Sequence, residues 1–171
     1  MVAYEDIDDD QQSLTWSADI SYRLSAPITL ALMFSQDFDN SATGGLIKSR
    51  DTTFSIDYVK DSFRTGIAAY WTESKYQRII RDDKAYGGLF NLSFPLYSNL
   101  STDFSADYEK ASYETATSDK DVDNYSLGLS FDYEISRFLT SLSYRYRVND
   151  SEINIDDYTE NTVTLSVRIR F

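Results

Sequence analysis

The sequence predicts an all-β protein, an antiparallel up-and-down transmembrane β-barrel of about ten strands. Three observations carry that prediction. Apolar and polar residues alternate at period two in nine separate stretches. The links between the stretches alternate between short and long. Finally, fourteen Tyr, ten Phe and two Trp occur in a chain whose mean hydropathy is only −0.44. A disordered acidic segment lacks such aromatics, and no apolar run is long enough for a membrane-spanning helix.

The strands follow in order. Leu14, Trp16, Ala18, Ile20, Tyr22 and Leu24 alternate with Thr15, Ser17, Asp19, Ser21 and Arg23. After Ala26-Pro27, Ile28, Leu30, Leu32 and Phe34 share a face. Phe54, Ile56 and Tyr58 mark the third strand, and Phe63, Thr65, Ile67, Ala69 and Trp71 the fourth. Tyr86, Phe90, Leu92 and Phe94 make a fifth, with Gly88 in phase, and Leu100, Thr102, Phe104, Ala106 and Tyr108 a sixth. Tyr125, Leu127, Leu129, Phe131 and Tyr133 form the seventh; Phe138, Thr140, Leu142, Tyr144 and Tyr146 form the eighth. The ninth, Thr162–Phe171, alternates at every position, with Val163, Leu165, Val167, Ile169 and Phe171 on one face.

Short turns are expected at Ser25–Pro27, Lys60–Ser62, Leu96–Asn99 and Ile135–Arg137. Long polar connections are expected at Asp39–Arg50, Ser74–Lys84, Ala111–Asp123 and Asn149–Asn161. The turn centres near Ala26, Asp61, Tyr97 and Ser136 lie 35, 36 and 39 residues apart, so the chain is a repeated hairpin. An eleven-residue strand such as Leu14–Leu24 rises roughly 36 Å, and at a tilt of about 45° covers the roughly 25 Å apolar band of a membrane barrel. Closure follows from the solvent, because an open edge in hydrocarbon leaves backbone groups unpaired.

Alternation alone does not say which face is wet, so a soluble barrel or sandwich with an apolar interior is the rival. Lipid is favoured by aromatics near the ends of the apolar face (Tyr22, Tyr58, Trp71, Tyr86, Phe94, Tyr133, Phe138, Tyr146). The opposite face is rich in Ser, Thr, Gly and Ala, which suits a confined lumen.

Sixteen Lys+Arg against twenty-eight Asp+Glu give a net charge of −12, which argues against nucleic-acid binding. With no Cys and no His, thiolate metal sites, disulfides and the commonest general base are excluded. No cofactor, metal or catalytic residue is expected. Met1 leads straight into Val-Ala-Tyr-Glu-Asp with no targeting segment. The chain is therefore either cytosolic or a form from which that segment has been removed.

The ending Val-Thr-Leu-Ser-Val-Arg-Ile-Arg-Phe resembles the C-terminal β-signal of Gram-negative outer-membrane β-barrel proteins. Hairpins such as Leu-Ser-Phe-Pro-Leu-Tyr-Ser-Asn-Leu-Ser, from Leu92, resemble those of porin-like barrels. The resemblance implies a place in the bacterial outer membrane. It also implies handling by the outer-membrane assembly machinery, with Val163, Leu165, Val167, Ile169 and Phe171 as the recognised face. Outer-membrane lipids, including lipopolysaccharide, are the other implied partners, and oligomeric state is left open. Single-chain bacterial barrels have an even number of strands, so a short strand at Val2–Ile7 is expected ahead of the nine. Residues 1–171 are then one barrel domain; the alternative is the C-terminal part of a larger barrel.

Inverting the lipid face gives the lumen. Its acids are Asp19, Asp37, Asp57, Asp103, Asp107, Asp132 and Glu134, and its bases Arg23, Arg64, Arg137, Arg145, Arg147, Arg168 and Arg170. They read either as a charge-separated constriction, with Arg145 and Arg168 as one wall, or as a plug of internal ion pairs. A barrel of about ten strands is nearly filled by side chains, and an unpaired buried charge is costly, so pairing is favoured. Asp119–Asn124 opens like a calcium loop but lacks its turn glycine and final Glu, so it reads as a solvated acidic loop. Asp8-Asp9-Asp10 and Asp156-Asp157 read the same way. Gly44-Gly45 suggests a loop tip, and Gly87-Gly88 a bulge or a thinning of the lumen wall. The expected function is a porin-like passive pathway for small solutes or ions. Alternatives are a non-conducting barrel that displays acidic loops and a soluble barrel that carries an apolar ligand.

Overall fold

A computed structural model describes residues 14–41, 45–115, 119–152 and 156–170. Nine strands follow one another: β1 (Trp16–Ser25), β2 (Ile28–Ser41), β3 (Gly45–Lys60), β4 (Phe63–Tyr76), β5 (Arg81–Tyr97), β6 (Leu100–Thr115), β7 (Asp119–Ile135), β8 (Phe138–Ser151) and β9 (Tyr158–Ile169). Each pairs antiparallel with the next in a single sheet of order β1 to β9. The expected strand at Val2–Ile7, the acids Asp8–Asp10, Gly44 and Phe171 lie outside the described residues.

All four short turns form where expected. At two of them an ordinary residue takes the left-handed conformation, Asp61 with φ 53° and Ser136 with φ 52°. Asp tolerates that region better than most residues because its short polar side chain bonds locally. Register slips occur only beside turns, between Arg23 and Ser25 and between Pro95 and Tyr97. Pro95 therefore sits where the ladder is already interrupted and its missing N–H is tolerated.

The other four connections differ from expectation. Most of Asp39–Arg50, Ser74–Lys84, Ala111–Asp123 and Asn149–Asn161 is strand, and β3, β5, β6 and β7 each run 16 or 17 residues. Asp119–Asn124 is likewise strand, the opening of β7. Seventeen residues rise about 56 Å and, at a tilt of about 45°, stand about 40 Å tall, well beyond the apolar band. Above that band water bathes both faces, so the apolar alternation ends while the backbone ladder continues. The period-two signal therefore underestimates strand length.

The two faces are inverted relative to a soluble protein. Large apolar residues point outward and are exposed, Ile67 at 58% and Leu165 at 67%. Among the described residues only Ala111 and Val122 are buried hydrophobics, and they face each other across β6 and β7 on the polar face. Aromatics border the apolar band. Near the short turns Phe63 meets Tyr58 edge-on (5.9 Å) and stacks with Phe94 (6.4 Å). At the far border stand Trp71, paired across the ladder with Tyr86, and Tyr108, 5.0 Å from Tyr125.

Gly87-Gly88 causes no bulge, since the ladders on both sides stay in register. Gly87 instead makes the thinning. A side chain there would strike the Tyr70 hydroxyl oxygen at 2.6 Å and the carbonyl of Tyr108. The empty place lets Tyr70 lie across β5 from β4 and donate to Glu109 on β6 at 2.7 Å.

Candidate pore lining

The concave, polar face carries a trough of about 680 Å³ across β4 to β9. Register arranges its lining in rows. Arg64, Ser93, Asp103, Ser130, Ser143 and Thr164 share one row; Asn91, Ser105, Gly128, Arg145 and Thr162 share the next. A third row holds Asp107, Ser126, Arg147 and Glu160; its Arg147 and Glu160 line the trough, and its β6–β8 part borders a neighbouring hollow of about 310 Å³. Successive rows are two residues, about 7 Å, apart. Gly128 keeps its row shallow: a Cβ there would lie 2.5 Å from the Ser105 hydroxyl.

The expected lumen charges divide into two groups. Arg64, Arg145, Arg147 and Asp103 come together in the trough, and Asp107 joins Arg147 in the adjoining hollow. The remainder lie apart. Asp19 faces Met33 on β2, and Arg23 faces Thr29. Asp37 accepts from the Thr15 hydroxyl at 3.3 Å. Asp57 accepts from the Ser55 hydroxyl at 3.2 Å and reaches over Gly66. Asp132 accepts from the Ser141 hydroxyl. Arg170 pairs with Glu134 at 2.8 Å beside the last short turn, which holds Arg137. Arg168 is opposite Leu139 while Arg145 is opposite Thr162, so six residues, about 20 Å, separate the two arginines along the sheet. The structure does not form one wall from Arg145 and Arg168.

Pairing is sparse in the trough. Arg147 approaches Glu160 at 3.9 Å, with both side chains more than 40% exposed, a contact of small energetic weight. Arg64, Arg145, Asp103 and Asp107 form no ion pair among the described residues. Dense pairing is instead found above the trough. Arg81 lies over the rings of Tyr76 (4.9 Å) and Tyr113 (5.4 Å) and grips both oxygens of Asp83 at 2.7 and 2.9 Å. Tyr76 also donates to Asp83 at 2.9 Å, and its hydroxyl is held above its ordinary pKa, first by burial and then by that carboxylate. Glu109 and Glu160 belong to this polar face although the periodicity stopped short of them. Glu109 is in phase with Asp103 and Asp107, one step past Tyr108, and counting on through the polar stretch would have found it. Among the described residues no cluster is arranged to hold a metal.

An up-and-down sheet with an apolar, aromatic-bordered outer band and a charged concave face defines an outer-membrane β-barrel protein of the bacterial kind. Residues 89–171 match the family model described as "Putative beta-barrel porin 2". Among solved structures the chain is similar to OmpTdeltaL8, a loop L8 deletion mutant of OmpT, an outer membrane protein of Vibrio cholerae (TM-score 0.63, 14% identity, 91% of this chain covered). The chain spans about half, 53%, of that structure's length. No curated protein matches.

Proposed function

We propose that the protein is a passive, non-enzymatic pathway for small hydrophilic solutes or ions, with the short turns on the periplasmic side and the long strands rising outside the cell. The supporting observation is the trough. It is polar, set back to back with the lipid-facing band, and its Arg64, Arg145 and Asp103 are left without ion partners among the described residues. Side chains that close a lumen neutralise one another, whereas charges left available to a passing solute produce a field across the path. The likeness of residues 89–171 to a porin family points the same way.

The nine strands are proposed to form one wall of the barrel. β1 and β9 are not paired with each other, and both are exposed along their whole length. Further strands would complete the ladder.

Planar-bilayer recording after refolding tests the reading. Discrete conductance steps are expected, with the preference for anions falling in Arg145→Ala. Verified insertion without steps would overturn the pathway in favour of a non-conducting barrel.

A further inference from the structure

On the outer face, one row above Trp71, a cleft of about 220 Å³ is walled by Lys48, Arg50, Glu73 and Lys75. Three cations surround one carboxylate there, in a chain whose net charge is −12. Register makes the arrangement stranger still: Lys48 stands directly opposite Lys75, and Arg50 opposite Glu73. Like charges facing each other across a ladder destabilise it, and Glu73 is the only anion in the cleft wall. It takes Lys75 at 3.3 Å and Arg50 at 3.8 Å, and its own side chain is only 14% exposed. The two cations it touches are about half exposed, at 52% and 51%. Arg50 is steered by Gln36, which accepts from its Nε at 3.2 Å, and the Lys48 ammonium lies 5.9 Å from the centre of the Phe38 ring.

The flanks do not supply the missing anion. Asp82 is opposite Lys75 on β5 but makes no ion pair with it, and Lys84, opposite Glu73, is taken by Glu114 at 2.9 Å. Among the described residues Lys48 therefore has no ion partner, and Arg50 and Lys75 share the single carboxylate of Glu73, at the height where the aromatic border gives way to water.

We propose that this cleft is a binding site for the phosphate of an outer-leaflet glycolipid headgroup, whose acyl chains lie against the apolar band below Trp71. The assignment rests on the membrane reading above, because only that reading sets lipid against this face and gives the long strands to the outer leaflet. Basic side chains just beyond the hydrocarbon boundary draw anionic headgroups. Arg50 presents a planar fork and the lysines point charges, the combination suited to phosphate oxygens.

The test uses the full chain refolded into phosphatidylcholine vesicles that carry lipid A, lipid A with inorganic phosphate added, dephosphorylated lipid A, or none of these. Insertion is read first, by protease protection. Lipid retained after detergent extraction is then weighed by mass spectrometry. The wild type should retain lipid A, Lys48→Gln/Lys75→Gln should lose it on the order of tenfold, and Glu73→Gln, which deepens the positive cleft, should retain more. The double variant relieves a like-charge pair but also takes the nearer partner from Glu73, so retention is compared only between inserted samples, and the two variants move in opposite directions. Equal retention of the dephosphorylated lipid, unchanged retention in the double variant, or displacement of lipid A by an equal concentration of inorganic phosphate would each overturn the lipid assignment. Insertion with no phosphate preference sinks this site alone, whereas failure to insert sinks the membrane reading and the site together.

Discussion

Tyr70 and Gly87 show how single residues shape the lining. The hydroxyl of Tyr70 reaches Glu109 only because Gly87 has no side chain. Gly87→Ala should force the ring away and cost about 1–3 kcal/mol, the range for overpacking. Tyr70→Phe keeps the ring but strips a bond to a carboxylate, which costs about 1.5–3 kcal/mol. Urea unfolding in liposomes measures both, and a Gly87→Ala variant as stable as the wild type would show that Tyr70 does not cross the sheet. Tyr70 lies between Ala69 and Trp71 of the outer face and so points inward, but the sequence alone does not reveal its partner. Matching Glu109 to Tyr70 requires the register of three strands at once, and register is fixed by the turns between them.

At the scale of the strand, parity decides where a residue faces. Leu129 and Ser130 are neighbours on β7, one in the outer band and one opposite Asp103 in the trough. Leu129→Arg should cost about 2–4 kcal/mol near the midplane, while Ser130→Arg should cost far less and alter ion preference. Equal costs would reverse the faces. Higher on the same strand, the hydroxyl of Ser112 first, and then the ammonium of Lys110, hold the Asp121 carboxyl below the usual carboxylate range. A carboxyl lowered in the folded state lends stability at pH above its ordinary value of about 3.9 and loses it as pH falls through the lowered one. Asp121→Asn should therefore be less stable than the wild type at neutral pH, with the gap narrowing below about pH 4 in a pH series of unfolding midpoints. This ion-paired belt was legible only as acidic loops. Its residues lack apolar alternation because water bathes both faces there, and only the backbone ladder shows that they are strand.

For the whole molecule, the sequence already contained the sheet's order, the four short turns and the inverted faces, since the bilayer imposes all three on the side-chain pattern. The pairing of lumen charges was not legible. Alternation says which face a charge is on, but its height depends on register, and so Arg168 falls about 20 Å from Arg145. Closure leaves a measurable mark. With β1 and β9 each paired along one edge only, hydrogen exchange on the refolded chain should be fast along those two strands and slowest in β5 and β6, which are flanked on both sides. Protection of β1 and β9 equal to that of β5 would mean that both edges are already covered.

Nine strands in alternating sense leave β1 and β9 running in the same direction. A direct seam between them would be the single parallel ladder in an otherwise antiparallel sheet. Whatever closes the wall must therefore insert an odd number of strands if the seam is to stay antiparallel. One strand suffices for a narrow cylinder, whereas a wide channel needs several. Counting those strands, by the mass of the assembled barrel or by its conductance, would give the bore of the channel, which no side chain in the trough determines.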